Sequence, residues 1–367
     1  MRITNNMMFD SSIRNLNNNL QRLSTAQTQY STQSKIQVPS DDPVIATRAI
    51  KYRDYVADVE QYQKNTSDAT SWMQVTDDAL QGVADYMTRL KELITNGAND
   101  TNSTSSKAAI ADEIKEIKKG LIDTMNTSYA GRYIFAGYNT DKPPYATASV
   151  IYGGTTLEKV TYKGKILSVS GPVSATVTDA DLAAGYAANK GTNAYRAVTQ
   201  DISYHVSNGS EVKVNIEGQN VIGWSGDATN DGYKAGTNLF DTIDKALLGL
   251  SGESSYKVVD TTGAVQTFPT TPQSSSQLIS SCLDELETDL DRITKSQSEL
   301  GARMNYVDST DSRLGSNEIT FTKLQSNNED IDVAKASVEV SSAQSVYEAA
   351  LSVTAKVTKA SLVDYLR

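Results

Sequence analysis

The side chains able to do chemistry are few and scattered: one cysteine, Cys282, and one histidine, His205, in 367 residues. A thiolate nucleophile needs a base or a cation beside it, and a zinc site needs several Cys or His ligands. Neither condition is met here. Cys282 reads as a small buried residue near a helical seam, and His205, inside a β-type run, as a surface or internally bonded ring. Asp227-Ala228-Thr229-Asn230-Asp231-Gly232 is similar to the opening of a calcium loop, but the twelfth position is Asn238 instead of the bidentate glutamate and no helix precedes it, so a turn is the better reading. The Asn-x-Ser/Thr sequons at Asn65, Asn102, Asn126 and Asn208 are expected by chance in a chain so rich in Asn, Ser and Thr. Tyr52, Tyr55 and Tyr62 read as packing residues with a polar tip. No catalytic, cofactor-binding or metal residue is therefore nominated, and a secreted enzyme is the least supported function.

Composition narrows the partners. A net charge of -10 and the lack of a basic stripe argue against nucleic acid or an anionic membrane surface, because phosphate binding needs clustered Lys and Arg. No stretch approaches the roughly 18 apolar residues of a membrane span. Met1 to Asp10 has no apolar run of the kind a cleavable secretory signal carries, so none is expected.

The elements explain more than the isolated side chains do. Most of the glycines lie between Gly131 and Gly263, and most of the prolines between Pro143 and Pro272, which leaves two helical flanks around a non-helical middle. Phe9, Ile13, Leu16, Leu20 and Leu23 alternate at spacings of four and three, a coiled-coil seam predicted to run out at Val38-Pro39. Asp42-Pro43 reads as an N-cap followed by proline at the first helical position. The alternation resumes at Ile45 and Arg48 and continues through Tyr62, Met73, Leu80, Met87 and Ile94, predicting one helix of about 50 residues. After a polar turn, Ile110, Ile114, Ile117, Leu121 and Met125 mark a shorter helix able to cover only part of the first. The remaining cover comes from Ile279, Leu283, Leu286, Leu290, Ile293, Leu300, Met304, Val307, Asp311 and Leu314, so the flanks pack together and the middle is an insertion. A last seam of small residues holds Val340, Ala343, Tyr347, Ala350 and Val357, with Leu362 and Leu366 beyond it.

The fold class predicted is α+β: a long coiled-coil-like helical rod formed by the N- and C-terminal flanks, with an inserted mostly β outer domain. Its divisions are 1–42 with 318–367 for terminal assembly, 43–136 with 273–317 for the rod, and 137–272 for the outer domain. Val150-Ile151-Tyr152 and Val212 to Ile216 are predicted strands, Gly-Gly, Lys-Gly and Glu-Gly steps are predicted turns, and Leu239 to Leu248 is a predicted helix. The outer domain is expected to be removable. The seams of the two ends lack a third helix to hide them, so residues Ile13, Leu16, Leu20, Leu23, Val340, Ala343, Tyr347, Ala350, Val357, Leu362 and Leu366 are assigned to an interface between subunits, the ends being expected to order only there. Residues 1–38 carry a net charge of about +3 and residues 329–367 about -2, which favours association of the two ends, though exposed pairs contribute only about 0 to 1 kcal/mol each.

Several segments resemble the flagellin superfamily, and within it the hook-filament junction family. They are Met1-Arg2-Ile3-Thr4, Lys35 to Val44 with its Pro39-Ser40 and Pro43-Val44, Arg132-Tyr133-Ile134-Phe135-Ala136-Gly137-Tyr138, Asn238 to Thr242, Leu300-Gly301-Ala302-Arg303 and the ending Ala360 to Leu366. The resemblance covers both flanks and touches the insertion mainly through position and turn content. It implies a non-enzymatic structural subunit, self-associating in a ring, with other junction proteins and flagellin as partners. It also implies an extracellular place in the flagellum, reached by export through the flagellar channel without a cleaved signal peptide, with an export chaperone. No cofactor is implied. A filament flagellin, or an adhesin acting through the outer domain, are the alternative readings.

Overall fold

The computed structural model describes residues 5–152, 155–167, 171–172, 200–223, 238–259, 265–269 and 273–365. Helical flanks enclose a strand-containing middle, as the sequence predicts. The helices are α1 (Asn5–Thr32), α2 (Pro43–Gly97), α3 (Thr104–Met125), α4 (Gly218–Ile222), α5 (Leu239–Leu250), α6 (Ser275–Glu329) and α7 (Val333–Tyr365). The chain divides into two compact units, 1–61 with 313–367 and 62–312, the boundaries falling inside α2 and α6.

In the unit 62–312, Thr66, Ala69, Met73, Thr76, Leu80, Val83, Met87, Leu90 and Ile94 of α2 are all buried, following the predicted seam. Thr66 bonds Asp311, Gln81 meets Gln297 and Lys91 meets Glu287, so α2 and α6 run antiparallel here. On α6 the fully buried line is Ile279, Cys282, Leu286, Asp289, Ile293, Ser296, Leu300 and Val307, while the predicted Leu283, Leu290 and Met304 are only partly buried and Asp311 is exposed. The stripe is wider than one seam because α5 packs beside α2 on the same helix. α3 starts at an N-cap, Ser103, whose hydroxyl accepts from the Ser106 amide, and it buries the five predicted residues.

The middle contributes three antiparallel pieces among the described residues. β3 (Tyr145–Tyr152), β4 (Thr155–Tyr162) and β5 (Lys165–Ile166) form one sheet, and β6 (Gly171–Pro172) pairs β9 (Tyr256–Val259), which pairs β10 (Val265–Phe268). β7 (Ser203–Ser207) and β8 (Ser210–Lys213) form a hairpin. β1 (Ser128–Tyr129) and β2 (Arg132–Tyr133) are joined by Ala130-Gly131, and β4 and β5 by Lys163-Gly164. All four of these loop residues have positive φ, as a two-residue hairpin requires.

Three local predictions are corrected. The first helix ends at Thr32 rather than near Val38, because Gln33 adopts φ 57° and the chain turns to bond the connection between α6 and α7 instead. There Lys35 N–H donates to the Glu329 carbonyl at 2.7 Å, and Ile331 N–H to the Gln33 carbonyl at 3.0 Å. The predicted strand Val212 to Ile216 stops at Lys213. Asn215 takes over the pairing with its side chain, accepting from Ile202 N–H at 2.9 Å and donating to the Gln200 carbonyl at 2.6 Å. Glu217-Gly218 opens the short helix α4 rather than a turn.

α5 lies where the middle meets the helices. Leu239, Phe240, Ile243, Ala246 and Leu250 belong to the same core as α2, α3 and α6. A Cβ on Gly249 would come within 2.6 Å of Ile279, and one on Gly97 within 2.7 Å of Leu250, so glycine at both positions permits the close approach. The insertion thus supplies part of the helical core, contrary to the expectation of a removable outer domain.

Candidate assembly surface

In the unit formed by 1–61 and 313–367, α1 packs along α7. The ends, expected to order only against another subunit, form helices that find each other in one chain. Its described interior is thin: Leu23, Ala26, Ala46, Ala49, Val59, Leu314 and Ala336 are its buried apolar residues. Its junction is polar. Arg53 forks onto both oxygens of Glu329 at 3.0 and 3.1 Å through Nε, and Asn328 Nδ2 donates to the Ile45 carbonyl at 3.0 Å. Asp41 accepts from the amides of Gln37 and Val38, which holds its carboxyl below the usual range. Asp42 accepts from Val44 and Ile45 N–H at 2.9 and 3.1 Å, the predicted cap.

The structure divides the predicted interface residues by position. Leu23 is buried and Leu16 half-buried on α1, in line with Ala26. Val340, Ala343, Tyr347 and Ala350 are half-buried on α7, in line with buried Ala336. Ile13 and Leu20 are exposed. Val357 and Leu362 fall within α7, and Leu366 lies outside the described residues. A groove of about 780 Å³ beside this pair is lined by Asn18, Arg22, Ala26, Glu339, Ala343 and Val346, with the opposite charges of Arg22 and Glu339 both facing it.

The sequence reading passed over a second apolar stripe. Val338, Val346 and Val353 lie outside the half-buried line of α7 and are exposed, Val338 by 70% and Val346, which also borders the groove beside α1, by 50%. Spacings of eight and seven residues keep the three on one broad side of the helix, and the stripe could have been found by asking whether α7 is apolar on more than one side; such a helix needs more than one neighbour. Of the exposed large apolar side chains among the described residues, all but Tyr138 and Tyr306 belong to this unit, including Met7, Val44, Ile50 and Ile319.

The residues first considered for chemistry are engaged structurally. Cys282 is fully buried, its thiol donating to the Leu278 carbonyl, and burial pushes its pKa up to about 12. His205 is exposed on β7, 3.5 Å from Glu211. The amide of Asn126 is used in both directions with the Tyr145 backbone, at 2.8 and 2.9 Å, and Asn65 donates to the His205 carbonyl at 2.7 Å. Residues 227–232 lie outside the described residues.

Also unanticipated is a set of buried charges around α5. Asp244 receives Lys118 at 2.5 Å and Lys159 at 2.8 Å, and Lys245 meets Glu285 at 3.0 Å and Asp241 at 3.3 Å. Against the desolvation that would raise it, Lys159 and Lys118 hold Asp244 down to about 2. Two acids and a lysine in a twelve-residue apolar helix were the available signal, but periodicity cannot reveal burial when every face is covered.

Residues 3–140 match the bacterial flagellin N-terminal helical region and residues 283–366 the bacterial flagellin C-terminal helical region, together well over half of the chain. The chain belongs to the flagellin family. Within it, the chain is 24% identical over 333 residues to flagellar hook-associated protein 3 of Escherichia coli K12, covering 90% of this chain and 89% of that protein. It is 30% identical over 155 residues to flagellar hook-associated protein 3 of Salmonella typhimurium LT2, which is 42% of this chain and 49% of that one. The fold is shared with flagellar hook-associated protein-3 of Legionella pneumophila, with a TM-score of 0.52 at 14% identity over 75% of this chain and 97% of that chain. It is also shared with FlgL of Xanthomonas campestris, with a TM-score of 0.50 at 16% identity over 74% of this chain and 98% of that chain.

Proposed function

We propose that this chain is a structural subunit of the bacterial flagellum at the hook-filament junction, linking a hook-associated ring to the flagellin filament. The observation that carries the reading is the inverted distribution of apolar side chains. Among the described residues, the unit 62–312 exposes only Tyr138 and Tyr306 of its large apolar side chains, whereas the unit built from both ends of the chain leaves Val338, Val346, Leu20 and Ile319 exposed over a thin interior. Large exposed apolar surface marks an interaction site. Similarity to hook-associated protein 3 along most of the chain favours the junction over a filament flagellin or an adhesin.

The terminal segments 1–42 and 318–367 are the assembly part in this reading, with 43–136 and 273–317 as the helical part and 137–272 as the outer part. Neighbouring copies in a ring cover the second stripe of α7 and fill the groove beside α1, and flagellin and other junction proteins meet the same surface. The location is extracellular, reached by export through the flagellar channel with a chaperone holding the ends. Nothing in this role requires catalysis or a cofactor.

Antibody labelling of purified filaments tests the reading directly: a few copies at the filament base are expected, and labelling along the whole length would assign the chain to the filament. Val346→Arg tests the surface. It places a charge on the exposed stripe, so the monomer's melting temperature should stay within about 1 °C of wild type, as surface substitutions change stability little. Cells carrying it should lose filaments and shed flagellin. Normal filaments on those cells would remove the stripe from the interface.

A further inference from the structure

The contact between α5 and α6 contains more acceptors than donors. Thr242 Oγ1, completely buried, stands 3.3 Å from Glu285 Oε2, 3.3 Å from Asp289 Oδ2 and 3.3 Å from the Asn238 carbonyl oxygen. A hydroxyl has one proton and can satisfy one of these. Lys245 Nζ already serves both oxygens of Glu285, at 3.1 and 3.0 Å, and Arg292 Nη1 serves Asp289 Oδ1 at 2.8 Å. Asp289 Oδ2, on a side chain 2% exposed, is left facing the lone pairs of Thr242 whenever that hydroxyl turns to Glu285. One additional proton resolves the conflict: Asp289 donates to Thr242, and Thr242 donates to Glu285.

We propose that Asp289 is held protonated in the folded subunit and that the Asp289–Thr242–Glu285 chain is a proton-dependent latch fastening α5, and with it the inserted middle, to α6. Ionisation releases the proton to solvent and leaves two carboxylates facing one hydroxyl in a buried contact, which loosens the latch. The surrounding charges are Asp241 and Lys245 on α5 and Glu285 and Arg292 on α6, with the Tyr256 ring of β9 placed 5.1 Å from the Lys245 ammonium. Lys91 of α2 reaches the rim residue Glu287, and Lys118 of α3 is bound to Asp244. Burial, opposed only in part by Arg292 and Thr242, lifts the Asp289 carboxyl from the usual range to about 7.

The sign follows from linkage. A carboxyl that keeps its proton when folded to about pH 7 but loses it at about pH 4 when unfolded makes the folding equilibrium constant fall with rising pH across that window, by up to about tenfold per unit. The experiment is urea unfolding of the full chain from pH 5 to 8, together with amide exchange of α5 corrected for its intrinsic pH dependence. Wild type should lose stability and α5 protection as pH rises. Asp289→Asn, which keeps a donor towards Thr242 and an acceptor for Arg292, should flatten both profiles, whereas Glu285→Gln, which removes the second carboxylate but leaves the titrating one buried, should make them shallower without flattening them. A flat wild-type profile, the same slope in Asp289→Asn, or a slope removed by Glu285→Gln alone would each overturn the proposal. Infrared difference spectra of wild type between pH 6 and 9 give a readout that needs no variant to fold: the carbonyl band of a protonated carboxyl should be present at the lower pH and absent at the higher, and its absence at both overturns the latch.

Discussion

Asp244 shows how strongly a single residue can be committed here. Its carboxylate sits between two ammonium groups at 2.5 and 2.8 Å, with Lys159 5% and Lys118 12% exposed at the edge of a cavity that all three line, so water replaces only part of what the carboxylate supplies. Replacing Asp244 with Ala strands two buried cations and should cost about 3 to 5 kcal/mol in urea unfolding at pH 7, the usual range for breaking a buried pair. The pH signature is opposite to that of Asp289. With the folded carboxyl held at about 2, its contribution is complete above about pH 4 and is lost as pH falls through that interval, so acid unfolding of wild type should be steepest there and shallower in Asp244→Ala. The two carboxylates lie within one helical turn or one helix contact of α5, yet burial lifts one and lysine pairing lowers the other.

Among the elements, α2 has a well-defined start. Asp42 accepts from two first-turn amides and Pro43 supplies the fixed φ, so local sequence and local structure agree. Asp42→Ala should reduce the opening free energy of the amides at the start of α2 by about 1 kcal/mol, measured by hydrogen exchange, without altering exchange in α3. α1 ends differently. Its last turn yields to a bridge with the α6–α7 connection, where Lys35 and Ile331 make backbone bonds across nearly the length of the sequence. That competition has no local signature, which is why the proline at 39 was the natural but wrong terminator.

For the whole molecule, the proposed assembly role rests on a contrast between the two units: among the described residues, one buries all but two of its large apolar side chains and the other exposes many. The inserted middle belongs energetically to the first. Deleting residues 140–270 removes Val160, Phe240, Ile243 and Ala246 from the core together with Lys159, Asp244 and Lys245, and leaves Ile279, Leu286 and Asp289 uncovered. The deleted chain should lose helical circular dichroism cooperatively at a lower temperature than wild type, or aggregate. A soluble helical product melting at the wild-type temperature would show that α5 is expendable.

The flanks were legible in the sequence because a helical seam repeats every three and four residues for as long as the helix lasts, and glycine, proline and the Asp42 cap mark where it stops. Resemblance to the junction family through Arg132 to Tyr138 and Lys35 to Val44 carried the functional reading, and the scarcity of Cys and His left no catalytic or metal-binding constellation to set against it. Three features belonged to tertiary structure alone. Whether the seam of α1 and the seam of α7 face each other in one chain or face another copy is a question of partner, which periodicity does not encode. The second stripe of α7 becomes an exposed surface only once α1 has taken the first. The α5 charges are buried because α3, β4 and α6 converge on it from different parts of the chain, and a polar residue in sequence carries no record of whether water or protein will surround it.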